Sequence, residues 1–379
     1  MRRVLILGGG FGGIATAHAL RAKLAPDDEI ILVERHTHFV FGLRKTWALT
    51  GQSTLEAGQR PLAGLERRGI QVRPGTITAI HPAARAAEVD GRRIEADAMV
   101  VALGAELAPD TVPGFQAHAL NVYGAQDIPR AAEAVRQFSG GRVVIGIFGA
   151  PYTCPPAPYE MALVLKDYFK ARGVSITLDV FTPQPMSLPI LGQTGCSLIE
   201  GRLDQHGITF LPNHKAVAVE TGEIVFANGR RPYDLLLGVP PHQCPAVVVQ
   251  SGLTGGSAWV RVNPRTLETR WPGVYAIGDL TEVTLANGMA LPKAGIFAEG
   301  EGQIVAERIA ASFAGRTPEA TFEGIGHCFM EVGNGQALLV RGRFLAEPAP
   351  DVAMTEPSRQ FLEEKHTFEA ERLRAWFGE

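Results

Sequence analysis

One glycine-rich stretch constrains this chain more than any other. Residues 4–7 are a short apolar run of strand type, and Gly8-Gly9-Gly10-Phe11-Gly12-Gly13 follows without a break. Ile14, Ala17 and Leu20 then fall on one side of a helical pattern. Strand, glycine turn and helix are thus in sequence, with Gly8, Gly10 and Gly13 at G-x-G-x-x-G spacing. Gly8 makes the tight turn, Gly10 lets a pyrophosphate approach the backbone, and Gly13 lets the helix pack on the strand. The helix N-terminus offers free N–H groups and partial positive charge to the phosphates. Phe11 and Gly12 complete the loop.

A second apolar strand, residues 29–34, ends in a carboxylate. Glu34 lies 21 residues beyond Gly13, close to the ~20 expected of the acid that accepts ribose hydroxyls. A carboxylate there repels a 2′-phosphate. The expected ligand is an adenosine dinucleotide of the FAD or NAD type, held by Gly8, Gly10, Phe11, Gly12, Gly13, Glu34 and the adjacent Arg35.

At 379 residues the chain has room for two or three domains. A net charge of −3 argues against nucleic acid as a partner. Arg2 and Arg3 before an apolar run mimic a signal peptide, but five glycines break the run and already have a structural role. A cytoplasmic protein is therefore expected. No uninterrupted apolar run approaches the ~18 residues of a membrane span. Four cysteines, Cys154, Cys196, Cys244 and Cys328, form no C-x-x-C pair, so no metal site is expected. Each is by default a small buried hydrophobe.

Further along, Asp90-Gly91 between alternating runs predicts a hairpin. Residues 98–103 read as a buried strand ending at Gly104. A new βαβ unit starts at Arg142, with a crossover helix over 159–171 and a strand over 176–181. Residues 273–279 form a strand ending in Gly278-Asp279, and a helix is predicted over 294–313. Two strands joined at Gly333-Asn334-Gly335 follow, then a polar, proline-containing segment and a final helix over 358–377. The expected division is 1–112 and 246–320 for a first dinucleotide domain, 113–245 for an inserted second one, and 321–379 for a C-terminal region.

The glycine loop, VVALGAEL at 100–107 and GVYAIGDLTEV at 273–283 together resemble the flavoprotein disulfide reductase superfamily. That resemblance implies an α/β fold with two Rossmann-like domains, glutathione-reductase-like, plus a small C-terminal α+β region. It implies FAD in the first domain, with Ala102, Leu103 and Gly104 beside it and Gly278-Asp279 at the ribityl chain. A member using NAD(P)H would carry a second glycine motif after Ile145. This chain has GIFGAPYTCPP instead, where Pro151, Pro155 and Pro156 remove N–H donors that a phosphate would need. The nicotinamide site is expected to be lost.

GAPYTCPPAPYEMA around Cys154 and GHCFMEVG around Cys328 resemble sulfide:quinone oxidoreductases and the flavoprotein subunit of flavocytochrome c sulfide dehydrogenase. PKAGIFAEGEGQIVA resembles their lysine-bearing helix start. The resemblance implies a redox-active Cys154–Cys328 pair beside FAD, a sulfide substrate, and a quinone or c-type cytochrome as acceptor. Glu160 would relay a proton and Lys293 would stabilise charge on the flavin. His327 beside Cys328 is set aside, because strand neighbours point to opposite faces. No third cysteine lies between Leu103 and Gly141, which favours a two-cysteine arrangement. The final helix places Phe361, Phe368, Arg372 and Trp376 near one face, as a cap, a homodimer contact or a peripheral membrane contact on the inner face of the cell membrane. A type II NADH:quinone oxidoreductase-like enzyme and a catalytically silent FAD-binding partner protein stay open as alternatives.

Overall fold

The computed structural model describes residues 1–378. It opens with β1 (Arg3–Leu7), α1 (Phe11–Arg21) and β2 (Glu29–Glu34). The short α2 (Arg44–Leu49), β3 (Gln71–Pro74) and β4 (Ala98–Val101) follow. Successive residues of β1 point to opposite faces of the sheet, as strand geometry requires. Val4 and Ile6 enter one core, Leu5 and Leu7 the other, and all four are fully buried. That two-sided burial makes the run continuously apolar. The expected hairpin forms between 86–89 and 92–95, with Asp90 and Gly91 both in the left-handed region as a type I′ turn demands.

A second parallel unit uses β5 (Leu120–Asn121), β6 (Gly141–Ile147), α3 (Ala157–Ala171), β7 (Ile176–Phe181), β8 (Ile208–Leu211) and β9 (Leu235–Val239). Its sheet order is β5-β9-β6-β7-β8, parallel throughout. The chain then returns through β10 (Val274–Ala276), which pairs with β4 and completes a first sheet ordered β10-β4-β1-β2-β3. All its pairings are parallel. The long α4 (Gly295–Phe313) packs along α1. A Cβ on Gly302 would lie 2.8 Å from the Gly12 carbonyl, so the two helices meet through glycine.

The C-terminal region is an antiparallel sheet of β11 (Ile325–Glu331), β12 (Ala337–Arg343) and β13 (Asp351–Met354), followed by α5 (Arg359–Phe377). β13 falls inside the polar, proline-containing segment, where no strand was expected. At four residues, with alternate side chains exposed and prolines just upstream, it gives little sequence signal. Ser358 caps α5 through its hydroxyl, which accepts the Phe361 N–H at 3.3 Å. The buried face of α5 is Lys365, Glu369, Leu373, Trp376 and Phe377. Of the four residues expected on one face only Trp376 is buried; Phe361, Phe368 and Arg372 flank that face, half-buried. Trp376 packs edge-on against Phe11 and Phe39, which makes α5 a cap over the start of α1. Among the described residues, no helix is long and apolar enough to cross a membrane.

Candidate active site

The glycine loop has the geometry its spacing predicted. Gly8 sits at φ +111°, where a Cβ would lie 2.3 Å from the Ala102 carbonyl oxygen. A Cβ on Gly13 would meet the Gly8 carbonyl at 1.9 Å, whereas one on Gly10 would meet nothing within 4 Å. Gly13 is therefore needed for helix–strand packing, and Gly10 leaves a clear approach to the backbone. Glu34 pins the loop itself: one carboxylate oxygen accepts the Gly9 N–H at 2.8 Å and the other the His36 N–H at 3.0 Å. Each oxygen keeps lone-pair capacity for a ribose hydroxyl. Arg35 is exposed, and its Nε donates to His36 Nε2 at 3.3 Å. Ala102, Leu103 and Gly104 run on from β4 past Gly8, half-buried.

At the other end of the cleft, Gly278 turns at φ +76° and its N–H donates to Glu301 at 2.6 Å. Burial raises the Glu301 pKa to about 8, against the pull of that N–H. Asp279 Oδ1 is shielded from solvent with no hydrogen-bond partner in the protein, and burial raises its pKa to about 6 despite Lys293 and Lys45. A buried, unpartnered carboxylate oxygen calls for a donor from a bound group. Together with the open Gly10 and Glu34, it fits a flavin dinucleotide with hydroxyls at both ends. Lys293 Nζ donates to the carbonyls of Asp279 at 2.6 Å and Thr281 at 2.9 Å, and lies 3.5 Å from the Trp259 ring centroid. Burial lowers its pKa to about 8. Lys293 thus buttresses the Asp279 turn.

The Lys293 backbone also holds the cysteine loop. Its carbonyl accepts the Cys154 N–H at 2.7 Å, next to a bridge pairing Thr153 with Lys293. The Cys154 carbonyl accepts the Tyr123 hydroxyl at 3.2 Å, and Cys154 sits at φ +48°, a left-handed position that non-glycine residues avoid. Strain of this kind gathers where the surroundings over-determine the backbone. Cys328, 174 positions on, lies on β11, where its thiol donates to the Phe329 carbonyl at 3.5 Å; it is a neighbour of Cys154, and both thiols are free and half-buried. Their proximity treats them oppositely. It pulls the Cys154 pKa down, with Lys365 and Lys45 assisting against burial and Glu160, and raises that of Cys328 well up, with burial adding to it. Cys154 is the more acidic thiol of the pair. His327 faces away, stacking edge-on with Phe329 and Phe368.

Glu160 is neither a solvated helix-start acid nor a free relay. Its Oε2 accepts Lys365 Nζ at 2.9 Å and the Glu331 N–H at 3.0 Å. Lys365 also donates to Glu331 Oε1 at 2.8 Å, which accepts Trp47 Nε1 at 2.6 Å. Lys365 is fully buried, and Glu160 and Glu331 are each 5% exposed. Sequence reasoning missed Lys365, Trp47, Lys45 and Tyr123, and passed over Glu331 within the motif around Cys328, because nothing local marks them as partners of the cysteine loop. Cys196 and Cys244 are buried in the cores beneath the second and first sheets, and the Cys196 thiol donates to the Leu188 carbonyl at 3.0 Å. Among the described residues, no cluster of ligands suits a metal ion.

In place of a second glycine turn, β6 runs into Phe148, which packs on Phe115 and Phe181. A Cβ on Gly146 would lie 2.4 Å from the Phe181 ring, and α3 begins only after Pro155 and Pro156. Phe148 thus packs into the core at the end of β6, and residues 149–156 carry no G-x-G-x-x-G turn.

Residues 2–300 match the pyridine nucleotide-disulphide oxidoreductase family. The chain belongs to that family. It is an FAD-dependent oxidoreductase, and the two Rossmann-like units expected from the sequence are those of its fold. The kinship expected from the cysteine motifs is also found. The mitochondrial sulfide:quinone oxidoreductase of Mus musculus is 21% identical over 91% of this chain and 79% of its own. The sulfide-quinone reductase of Aquifex aeolicus is 26% identical over 81% of this chain and 76% of its own. The solved structure of the sulfide:quinone oxidoreductase from Aquifex aeolicus superimposes with a TM-score of 0.89, at 23% identity, over all of this chain and 92% of that one.

Proposed function

We propose that this flavoenzyme oxidises sulfide, or a related sulfur nucleophile, at the Cys154–Cys328 pair and delivers the electrons through FAD to a quinone. The observation that supports the reading is two neighbouring free thiols of opposite acidity, Cys154 on a loop tied through Lys293 to the Asp279 turn and Cys328 on β11. With the pair oxidised, HS⁻ attacks the Cys328 sulfur: a new S–S bond forms, the Cys154–Cys328 bond breaks, and Cys154 leaves as thiolate. Cys328 then carries the persulfide. Bound FAD supplies the two-electron acceptor for the charge left on Cys154. Lys45 and Lys365 stabilise that thiolate, and Glu160 takes the proton when neutral hydrogen sulfide rather than HS⁻ enters. The relatives' acceptor, a quinone, is the one proposed here. The lack of a second G-x-G-x-x-G turn argues against NADH as donor, although an alternative NAD(P)H-ubiquinone oxidoreductase of Arabidopsis thaliana is also similar, at 24% identity over 76% of this chain.

The test is anaerobic. Sulfide added to purified FAD-loaded protein is expected to bleach the flavin absorbance, and NADH is not. C154S and C328S are expected to keep FAD and to lose the bleaching by sulfide. Bleaching by NADH with no response to sulfide overturns the proposal.

A further inference from the structure

His242 stands where the chain crosses back from β9 towards β10. The two-residue strand His242–Gln243 pairs antiparallel with Glu106–Leu107, and the Ala108 N–H extends that pairing to the Pro241 carbonyl at 2.8 Å. The half-buried His242 ring reaches from this crossing onto the cysteine loop, with Nε2 lying 3.2 Å from the Thr153 hydroxyl oxygen. The direction of that bond is settled on the other side of the ring. Nδ1 lies 2.9 Å from the Pro240 carbonyl oxygen, which can only accept, so Nδ1 carries the proton. Burial takes the His242 pKa down to about 4 against the pull of that carbonyl, so at neutral pH the ring is uncharged and has a single N–H. Nε2 is therefore an acceptor, and the Thr153 hydroxyl donates to it. Tyr123 packs edge-on against the same ring at a centroid distance of 5.6 Å.

We propose that His242 is a positioning residue for Cys154, clamping the cysteine loop through the Thr153 hydroxyl so that Cys154 keeps its left-handed conformation beside Cys328. The proposal rests on the reading of the cysteine pair given above. Two other ties grip the Cys154 peptide groups: its N–H donates to the Lys293 carbonyl, and its carbonyl accepts the Tyr123 hydroxyl. The His242 bond is the one that holds the preceding side chain, on the far side of the N–Cα bond about which φ is measured. A non-glycine residue at φ +48° relaxes unless its surroundings fix it on both sides. The three ties come from separate parts of the chain, namely the segment before α4, the residues after β5 and the crossing at His242. A disulfide needs its two Cα atoms about 4.4–6.8 Å apart. A loop released from Thr153 would have to be ordered again before the Cys154–Cys328 bond could close, whereas the clamped loop is ordered in advance. The clamp therefore moves the thiol–disulfide equilibrium of the pair towards the disulfide.

The experiment equilibrates FAD-loaded protein with glutathione buffers of graded redox ratio and quantifies the Cys154–Cys328 disulfide by alkylation and peptide mass spectrometry. Each disulfide formed consumes two protein thiols and one oxidised glutathione and releases two reduced glutathiones. T153V removes the donor. H242N keeps a side-chain N–H for the Pro240 carbonyl but has no atom at the Nε2 position. Each is expected to weaken the disulfide about three- to ten-fold, the worth of one hydrogen bond. The double variant T153V/H242N is expected to be no weaker than either single one, because the two residues share one bond. H242Q, whose side-chain oxygen reaches the Nε2 position, is expected to restore the wild-type equilibrium. Loss of ring packing alone would harm H242Q as much as H242N and would add to T153V. Unchanged single variants, additive losses or a failure of H242Q to rescue each overturn the proposal. If the wild-type chain forms no Cys154–Cys328 disulfide at any ratio, the reading of the pair is rejected and exchange of the Cys154 amide hydrogen decides the clamp. That exchange is expected to speed up in T153V and H242N but not in H242Q, and equal exchange in all of them overturns the clamp as well.

Discussion

Asp279 gives the sharpest quantitative handle on the cofactor site. Its Oδ1 is buried and unpartnered in the FAD-free chain, and burial holds its pKa at about 6 against an ordinary 3.8. At about 1.4 kcal/mol per pH unit, a shift of roughly two units amounts to about 3 kcal/mol. The folded state binds this proton more tightly than the unfolded state. The FAD-free protein should therefore lose that much stability as pH rises from about 4 to about 6 and stay at the lower level above. In D279N no charge is buried, so the FAD-free variant should be more stable than wild type at pH 8 by up to about 3 kcal/mol, and near parity at about pH 4. FAD binding should move the other way. Replacing a charge-assisted hydrogen bond by a neutral one costs about 1 kcal/mol, roughly five-fold in Kd. Urea unfolding of the FAD-free proteins at both pH values, with flavin fluorescence titration for affinity, measures the two effects separately. A D279N chain that is less stable at pH 8, with the wild-type pH dependence intact, refutes the reasoning.

Two further outcomes follow from distances and thiol acidity. G13A should lower the melting temperature of the FAD-free protein, because its Cβ would meet the Gly8 carbonyl at 1.9 Å; G10A should leave that temperature unchanged and weaken FAD about tenfold or more, the equivalent of one lost charge-assisted hydrogen bond. In the reduced protein near neutral pH, iodoacetamide should alkylate Cys154 before Cys328, read by peptide mass spectrometry, and K45M should slow that labelling; preferential labelling of Cys328 would contradict the assignment of Cys154 as the more acidic thiol.

What the sequence made legible was local. The glycine spacing and the Asp90-Gly91 turn act within a few residues of where they are written, and the acid 21 residues on is set by the length of a single βαβ unit; the structure shows the tight glycine turn, Glu34 against Gly9 and the left-handed turn. The Glu160 cluster could not be read in this way. Its contacts join residues 205, 171 and 34 positions apart, and periodicity alone makes Lys365 one more charge on an amphipathic helix. Its burial depends on two carboxylates arriving from elsewhere, since an unpaired ammonium would not be buried. For the same reason the sequence placed the apolar face of α5 on Phe361 and Phe368, whereas packing selected a face that includes Lys365 and Glu369.

The pinning of Glu160 and Glu331 by Lys365 also orders events in time. Until α5 has been synthesised and docked, the two carboxylates lack their shared cation, and Phe11 and Phe39 lack the Trp376 ring that covers them. A chain with both parallel sheets built but without α5 therefore still has an unneutralised acid pair beside Cys154 and Cys328 and an open aromatic seam at the start of α1. Docking of α5 closes both together. A chain interrupted before that helix stays chemically unfinished.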